Sequence, residues 1–158
     1  VFFVTTGGYD THGDQLAAQG PLLGELSKAL TGFYNALNSV ALASRATAFT
    51  ASDFGRSLSN NGDGTDHGWA SHHFVVGGAV QGGKFYGDNL AHTGLAQMPS
   101  LAPSASNPND GGYGQMIPTT AVEQYAATLA QWFGLSTSDI NLILPNLANF
   151  TTKTFSFV

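Results

Sequence analysis

The chain has 158 residues, of which only 9% are charged, and its 5 Lys and Arg stand against 10 Asp and Glu, giving a net charge of −5. So few basic side chains cannot form the surface that nucleic-acid binding needs, and the absence of Cys excludes a disulfide-bonded scaffold. No apolar run reaches the roughly 18–20 residues of a membrane span. Because 42% of the residues are apolar, we expect a folded domain. Ser, Thr and Asn supply polarity in place of charge, which favours an exported protein.

The first 51 residues have the pattern of a strand–helix–strand unit. Residues 1–5 are β-branched and aromatic and precede two glycines, which predicts a buried strand. From Gly20 to Ala43 the apolar residues recur every three or four positions, which predicts a helix with Pro21 in its first turn. Its apolar stripe consists of Leu22, Leu26, Leu30, Phe33, Leu37 and Val40. Residues 46–51 predict a second strand, parallel to the first.

The middle of the chain alternates loop and strand signals. Residues 52–73 are rich in Gly, Asn, Asp and His, which predicts a long loop. Residues 74–80 predict a third strand, and residues 81–116 predict an irregular excursion that carries the surface residue His92.

Helical patterns return near the C-terminus of the sequence. Thr120 and Glu123 have capping-box spacing, and Gly134 stands where a helix C-cap is expected. The predicted buried stripe of this helix is Val122, Ala126, Leu129 and Phe133. A short helix from Ser136 to Leu144 follows. Together these patterns predict an α/β fold, a parallel sheet flanked by helices.

Asp and His residues cluster around the predicted strand ends. The candidate metal ligands are Asp10, His12, Asp53, Asp66, His67 and His72. In open parallel sheets, ligands bind at the carboxyl edge of the strands, where the Asp residues after two successive strands would meet. Carboxylate and imidazole ligands without Cys suit a divalent cation, with Zn²⁺ or Mn²⁺ favoured over Ca²⁺.

Simpler interpretations apply to each of these residues alone. An Asp after a strand is commonly a turn residue or a helix cap, and we assign Asp14 and Asp63 to such roles. Residues 60–64, with the sequence Asn-Asn-Gly-Asp-Gly, predict a tight turn, with a Ca²⁺-binding turn as the alternative. His72 and His73 are adjacent and cannot both face one site on extended backbone.

Arg56 lies three residues beyond Asp53. Its guanidinium could clamp an anionic substrate oxygen, which would make it the catalytic residue of the set, or it could pair with a loop carboxylate. The aromatic residues Tyr9, Phe54 and Trp69 lie close in sequence to the acidic residues, where they could form the walls of a pocket.

Several segments in order along the chain resemble one known family. The segments are 6–12 (TGGYDTH), 52–56 (SDFGR), 64–69 (GTDHGW), 76–83 (VGGAVQGG), 117–120 (IPTT), 125–130 (YAATLA) and 144–147 (LPNL). They are similar to the signature of domain-of-unknown-function family 1501, and they extend over nearly the whole chain.

That resemblance implies membership of the alkaline phosphatase and sulfatase superfamily, whose fold holds two divalent metals at the carboxyl edge of its sheet. Members of the family are often exported, many by a twin-arginine signal. By this resemblance Asp10 and His12 are the first ligand pair, and Asp53 is the ligand after the next strand. The ligands before the following strand come from Asp66, His67 and His72.

The superfamily's nucleophile comes from a region upstream of the first ligand pair. The resemblance therefore implies that residues 1–158 are the C-terminal portion of a single alkaline-phosphatase-like domain, by processing or truncation. Alone, the chain is expected to lack the nucleophile, and the missing N-terminal segment of the same protein is an expected partner.

Together with the candidate metal ligands, the resemblance implies a bacterial, extracytoplasmic, metal-dependent hydrolase that acts on a small phosphate or sulfate ester. The alternative is a non-catalytic secreted or cell-surface assembly protein that keeps the fold and a structural metal. A third possibility is a carbohydrate-binding module that uses Trp69 and Tyr113.

Overall fold

The computed structural model describes residues 1–87 and 100–158, and these form a mixed α/β fold with three helices and two small antiparallel sheets. The helices are α1 Gln15–Ser39, α2 Val122–Phe133 and α3 Thr137–Ile143, and the strands are β1 Thr47–Phe49, β2 Gly55–Asn60, β3 Thr65–Gly68 and β4 Val75–Gly77. Short 3₁₀ turns span Ala43–Arg45 and Pro145–Asn149. Within the described ranges, no helix combines the length and the apolar character that crossing a membrane would require.

Helix α1 begins five residues before the predicted start, which places Pro21 inside the helix rather than in its first turn. The earlier start has a tertiary cause. The Asp63 carboxylate accepts a hydrogen bond from the Asp14 backbone N–H at 3.0 Å, and the Asp63 carbonyl accepts one from Gln15 N–H at 3.2 Å. A distant turn therefore caps the helix and satisfies backbone donors that would otherwise lack partners.

The apolar residues at the start of the chain and along α1 remain accessible. Residues 1–5 form no strand, so the prediction of a buried first strand is wrong for this structure, and Val1–Val4 are 88–100% exposed. No residue of α1 is fully buried, and Phe33 of its apolar stripe is 45% exposed.

The predicted parallel sheet is not present in the described part of the chain. Strand β1 lies within the predicted second strand and β4 within the predicted third, but they pair antiparallel, with Ala48 opposite Val76. The antiparallel pairing of β1 and β4 follows from the path of the chain between these two strands. Strands β2 and β3 form a second antiparallel pair there, with Arg56 opposite His67, where a long loop was predicted. The tight turn at residues 61–64 reverses the chain, and the following segment returns against β1.

The packed core lies in the C-terminal part of the chain. Ala127 of α2 packs with Ile140 of α3 and with Leu147 of the last 3₁₀ turn. On another side of α2, Leu129 packs with Phe155 and Phe157. The predicted C-cap of α2 is confirmed, because Gly134 has a left-handed φ of 104°. Helix α3 starts after Ser136, whose hydroxyl accepts a hydrogen bond from Asp139 N–H at 3.2 Å.

The buried face of α2 differs from the predicted stripe. Val122 and Phe133 are 72% and 62% exposed, whereas Gln124 and Thr128 are buried. The buried Gln124 side chain is hydrogen-bonded to backbone groups. It donates to the Thr152 carbonyl at 2.7 Å and accepts from Ala121 N–H at 2.8 Å. Gln124, rather than the predicted Glu123, thus makes the reciprocal N-terminal contact.

Candidate metal site

The β2–β3 hairpin is hydrogen-bonded to the backbone of Thr11 and His12. Thr65 N–H donates to the Thr11 carbonyl at 3.1 Å, and the Asn61 side-chain amide donates to the His12 carbonyl at 3.1 Å. Gly64 permits this approach, since a Cβ at that position would lie 2.4 Å from the Thr11 carbonyl oxygen. The hairpin thereby brings residues separated by more than 50 positions in sequence to one surface.

Three side chains meet on that surface. The Asp10 Oδ1 atom lies 3.0 Å from Nε2 of His12 and 3.0 Å from Nε2 of His67. One ligand atom from each of the three residues lies within 4.8 Å of the other two. The ring centroids of His12 and His67 are 4.9 Å apart, and all three side chains are accessible to solvent.

The chemistry of this cluster fits a divalent cation. It offers one carboxylate oxygen and two imidazole nitrogens, a set that suits Zn²⁺ and related metals. Ligand atoms around a tetrahedral Zn²⁺ lie roughly 3.3–3.6 Å apart, so the separations at Asp10 need only a small expansion. The accessible side of the cluster leaves room for a further ligand, as catalytic sites require.

Arg56 binds the same carboxylate. One terminal nitrogen of its guanidinium donates to Asp10 Oδ1, the other donates to the Thr65 carbonyl, and Nε donates to the Thr65 hydroxyl at 3.1 Å. The sequence predicts two roles for Arg56, and the structure shows one of them, the pairing with a loop carboxylate, which is Asp10. The clamp on a substrate oxygen stays a prediction.

These contacts shift the ionisation of both carboxylates. Partial desolvation opposes the ionisation of Asp10, but hydrogen bonds from His67 and Arg56 and the proximity of His12 outweigh it, so the pKa of Asp10 lies below its ordinary value. At Asp66 the hydrogen bonds from Asn61 and His12 lower the pKa. Both side chains are therefore anionic near neutral pH, the form that attracts a cation.

An aromatic ring supports one of the imidazoles. Phe54 stacks on His67 with centroids 3.9 Å apart and an interplanar angle of 17°. The Gln115 side-chain amide donates to the His67 carbonyl at 3.0 Å, which adds a contact from a distant segment. Phe54 thus packs beside the cluster, whereas the Tyr9 hydroxyl donates to the Leu22 carbonyl at 3.1 Å.

The other predicted ligands lie outside the three-residue cluster. Asp53 and His72 are exposed and do not belong to it, and Asp66 contacts the opposite nitrogen of the His12 ring, at 3.4 Å from Nδ1. The neighbouring His73 packs elsewhere, with Nδ1 3.2 Å from the Thr50 hydroxyl. His92 lies outside the described residues.

Sequence reasoning missed the role of the turn at residues 60–64. It predicts a tight turn there and a turn or capping role for Asp63, but not that Asn61 would bind both Asp66 and His12 or that α1 is the helix that Asp63 caps. The Asn-Gly-Asp-Gly composition signals a turn, and no local signal reveals what a turn will contact across about 50 residues of sequence.

Comparison with known proteins gives one family match. The model of the family described as "Protein of unknown function (DUF1501)" matches residues 1–98, a range that contains all three residues of the cluster as well as Arg56 and Asp66. Neither the curated proteins nor the solved structures include a match to the chain.

Proposed function

The chain belongs to the DUF1501 family of proteins of unknown function, and from this premise and the site geometry we propose that it is part of an exported, divalent-metal-dependent hydrolase of phosphate or sulfate esters. The proposal includes the placement in the alkaline phosphatase and sulfatase superfamily that the sequence resemblance implies. One observation carries it, namely the convergence of Asp10, His12 and His67 with ligand atoms within 4.8 Å of one another.

In this proposal the three side chains of the cluster bind the cation, with Asp10 Oδ1 at the centre of their contacts. When bound, the cation supplies Lewis-acid stabilisation of charge that develops on ester oxygens. Phe54 restricts the orientation of the His67 ring by stacking on it. The cluster is exposed, so an ester carried by a small molecule can reach it without a conformational change.

The position of Arg56 favours an anionic substrate over a neutral one. Its guanidinium is held by Thr65 and lies against Asp10, so a positive charge is fixed beside the cluster. A planar guanidinium suits the oxygens of phosphate and sulfate groups, to which it can donate two parallel hydrogen bonds. In the proposed enzyme, a substrate oxygen takes the Arg56 hydrogen bond that Asp10 accepts in this structure.

The first test of the proposal is metal binding by the chain itself. We expect the wild-type chain to bind Zn²⁺ or Mn²⁺, and the Asp10→Asn variant to bind it more weakly by more than about 100-fold, the upper end of the loss found for residues around metal ligands. Isothermal titration and elemental analysis after gel filtration measure the affinity and the stoichiometry.

Glu25→Gln is the matched control, because it also converts an exposed carboxylate to an amide, but on helix α1. Equal metal content in the wild type and Asp10→Asn would contradict the proposed site. With the whole protein that carries this chain, hydrolysis of p-nitrophenyl phosphate and p-nitrophenyl sulfate then tests the reaction, and a metal-loaded protein inactive on both would contradict it.

The second candidate function is a non-catalytic assembly protein. The accessible apolar surface of Val1–Val4 and of helix α1 favours it, because exposed apolar patches commonly mark interaction sites. Stable self-association of a metal-loaded protein that hydrolyses neither ester would support this candidate over the enzyme.

A further inference from the structure

A cavity of about 400 Å³ lies beside helix α2, and no residue of the three-residue cluster lines it. Its volume is within the range of small-molecule sites, which is roughly 300–1,000 Å³. Helix α2 contributes Thr128, Gln131 and Trp132 to one wall. Gln131 and Trp132 follow Thr128 by three and four positions, so all three lie on one face of the helix. The cavity lies beyond the residues that the family model matches.

The opposite wall of the cavity is formed by residues 152–158. Phe155 and Phe157 of this segment are buried against Leu129 of α2. The hydroxyl-bearing residues of the segment that line the cavity are Thr152, Thr154 and Ser156. Hydroxyl groups therefore occur at every second position along this wall.

Two hydrogen bonds between the helix and the segment hold the walls together. Phe155 N–H donates to the Thr128 hydroxyl at 2.9 Å, and the Gln124 side-chain amide donates to the Thr152 carbonyl at 2.7 Å. Gln124 and Thr128 are both buried, and the Thr128 hydroxyl also donates to the Gln124 carbonyl at 2.8 Å. The cavity is thus formed before a ligand binds, which lowers the entropic cost of binding.

The polar side chains of the cavity are available to a ligand. Within residues 1–87 and 100–158, no hydrogen bond inside the protein involves the side chains of Gln131, Trp132, Thr152, Thr154 or Ser156. A ligand that enters the cavity therefore meets an indole N–H, an amide and three hydroxyl groups without displacing any contact of the protein.

The lining of the cavity favours an uncharged ligand. No acidic, basic or imidazole side chain is among the described residues that line it. The Lys153 ammonium, although adjacent in sequence, donates to the carbonyls of Leu147 and Phe150 at 2.7 and 2.6 Å. A charged ligand would lose hydration in the cavity without gaining a counter-charge, which opposes its binding.

We propose that this cavity binds a neutral sugar, with one face of the sugar ring on the Trp132 indole and the sugar hydroxyls bonded to the polar side chains of both walls. A pyranose ring combines a face of C–H groups with a rim of hydroxyls, and Trp likewise combines an apolar ring with one N–H donor. The site differs from the carbohydrate site predicted at Trp69 and Tyr113, neither of which lines the cavity. It is also independent of the proposed ester hydrolysis.

Nuclear magnetic resonance of the whole chain tests the site in the wild type. The chain has two Trp, so its ¹H–¹⁵N spectrum contains two indole N–H signals, which the Trp69→Phe variant assigns. We titrate glucose, N-acetylglucosamine and cellobiose, and we expect at least one of them to shift the Trp132 signal saturably while the Trp69 signal stays unchanged. A Trp132 signal that none of these sugars shifts would overturn the proposal, as would a shift confined to Trp69.

Variants of the cavity test which side chains bind the sugar. Trp132→Ala should weaken binding by more than about 10-fold, as expected for an aromatic anchor. Phe133→Ala is the matched control, because Phe133 is the next residue of α2, is 62% exposed and does not line the cavity. Isothermal titration measures both, and equal affinity in the two variants would overturn the proposal.

A second pair of variants tests the hydroxyl groups without removing the ring. Thr154→Val keeps the shape of the side chain and should weaken binding by about 2–10-fold, the worth of one hydrogen bond. Thr151→Val, at an exposed position outside the cavity, should bind as the wild type does. Wild-type affinity in Thr154→Val would contradict the proposed contacts, and tighter binding of glucuronate than of glucose would contradict a site for a neutral sugar.

Discussion

Tyr125 shows how single side chains connect the C-terminal helices to the sheet. Its ring contacts Phe49 of β1 at a centroid distance of 6.0 Å and stacks on His73 at 5.9 Å, and its hydroxyl donates to the Thr50 carbonyl at 3.3 Å. Burial raises the pKa of Tyr125 above its ordinary value of 10.0, because the phenolate would lose hydration. Burial, and to a lesser degree the charge of His72, lowers the pKa of His73.

The raised pKa of Tyr125 predicts an alkaline loss of stability. The unfolded chain releases the Tyr125 proton at about pH 10, whereas the folded chain retains it. The contribution of Tyr125 to the free energy of unfolding is therefore complete below about pH 10 and falls as the pH rises above that value. Urea unfolding between about pH 9 and 11 should therefore give a steeper fall in the free energy of unfolding for the wild type than for Tyr125→Phe. Equal slopes would contradict a partly buried Tyr125 that stays neutral in the folded chain.

At the scale of elements, the β2–β3 hairpin organises the candidate site. Its turn caps helix α1 through Asp63, and its strand β3 carries His67 and pairs with the strand that carries Arg56. Gly64 determines how closely the hairpin approaches the segment of Thr11 and His12. The geometry of the candidate site therefore depends on backbone contacts as well as on Asp10, His12 and His67.

Gly64→Ala tests this dependence. The added methyl group would lie within 2.6 Å of three backbone atoms of Thr11 and His12, so the two segments must separate. We expect weaker Zn²⁺ binding by the chain although every ligand residue is retained, measured by isothermal titration.

Gly24→Ala is the control for this substitution. A Cβ at Gly24 meets no atom within 4 Å, and Ala in a helix interior is more stable than Gly by about 0.5–1 kcal/mol. This variant should unfold at a higher temperature and keep wild-type metal affinity. Unchanged metal affinity in Gly64→Ala would show that the close approach of the hairpin does not control the site.

The whole molecule is unevenly packed. Ala127, Ile140 and Leu147 form one buried apolar cluster and Leu129, Phe155 and Phe157 form another, and five of these six residues lie beyond residue 128. The N-terminal helix α1 contributes no buried residue to either cluster. The fully buried apolar clusters of the described residues therefore lie almost entirely in the C-terminal part of the chain.

Leu147 is a suitable position at which to test where the buried apolar core lies. It is 2% exposed, and Leu147→Ala should lower the free energy of unfolding by about 2–5 kcal/mol because it leaves a cavity between α2 and α3. Leu142→Ala, at a position that is 80% exposed, should change the free energy by no more than about 0.5 kcal/mol. Denaturant unfolding measures both, and equal effects would contradict the packing described.

Some predictions that depend only on neighbouring residues agree with the structure, whereas the strand predicted at residues 1–5 and the capping box predicted at Thr120 and Glu123 do not. The end of α2 at Gly134 and the start of α3 after Ser136 follow from backbone geometry and from a local hydroxyl, both of which are present in the residues themselves. Strand β1 also lies inside its predicted range, and it pairs with β4, whereas the equally β-branched and aromatic residues 1–5 form no strand.

The sequence by itself determined these local elements and the set of residues from which the candidate site is drawn. Only the tertiary structure decided that β1 and β4 run antiparallel and that a predicted loop forms a hairpin. It also decided which candidates meet, since Asp10, His12 and His67 converge while Asp53 and His72 do not. The physical reason is that strand pairing and side-chain convergence depend on contacts between residues far apart in sequence, and no local propensity encodes such contacts.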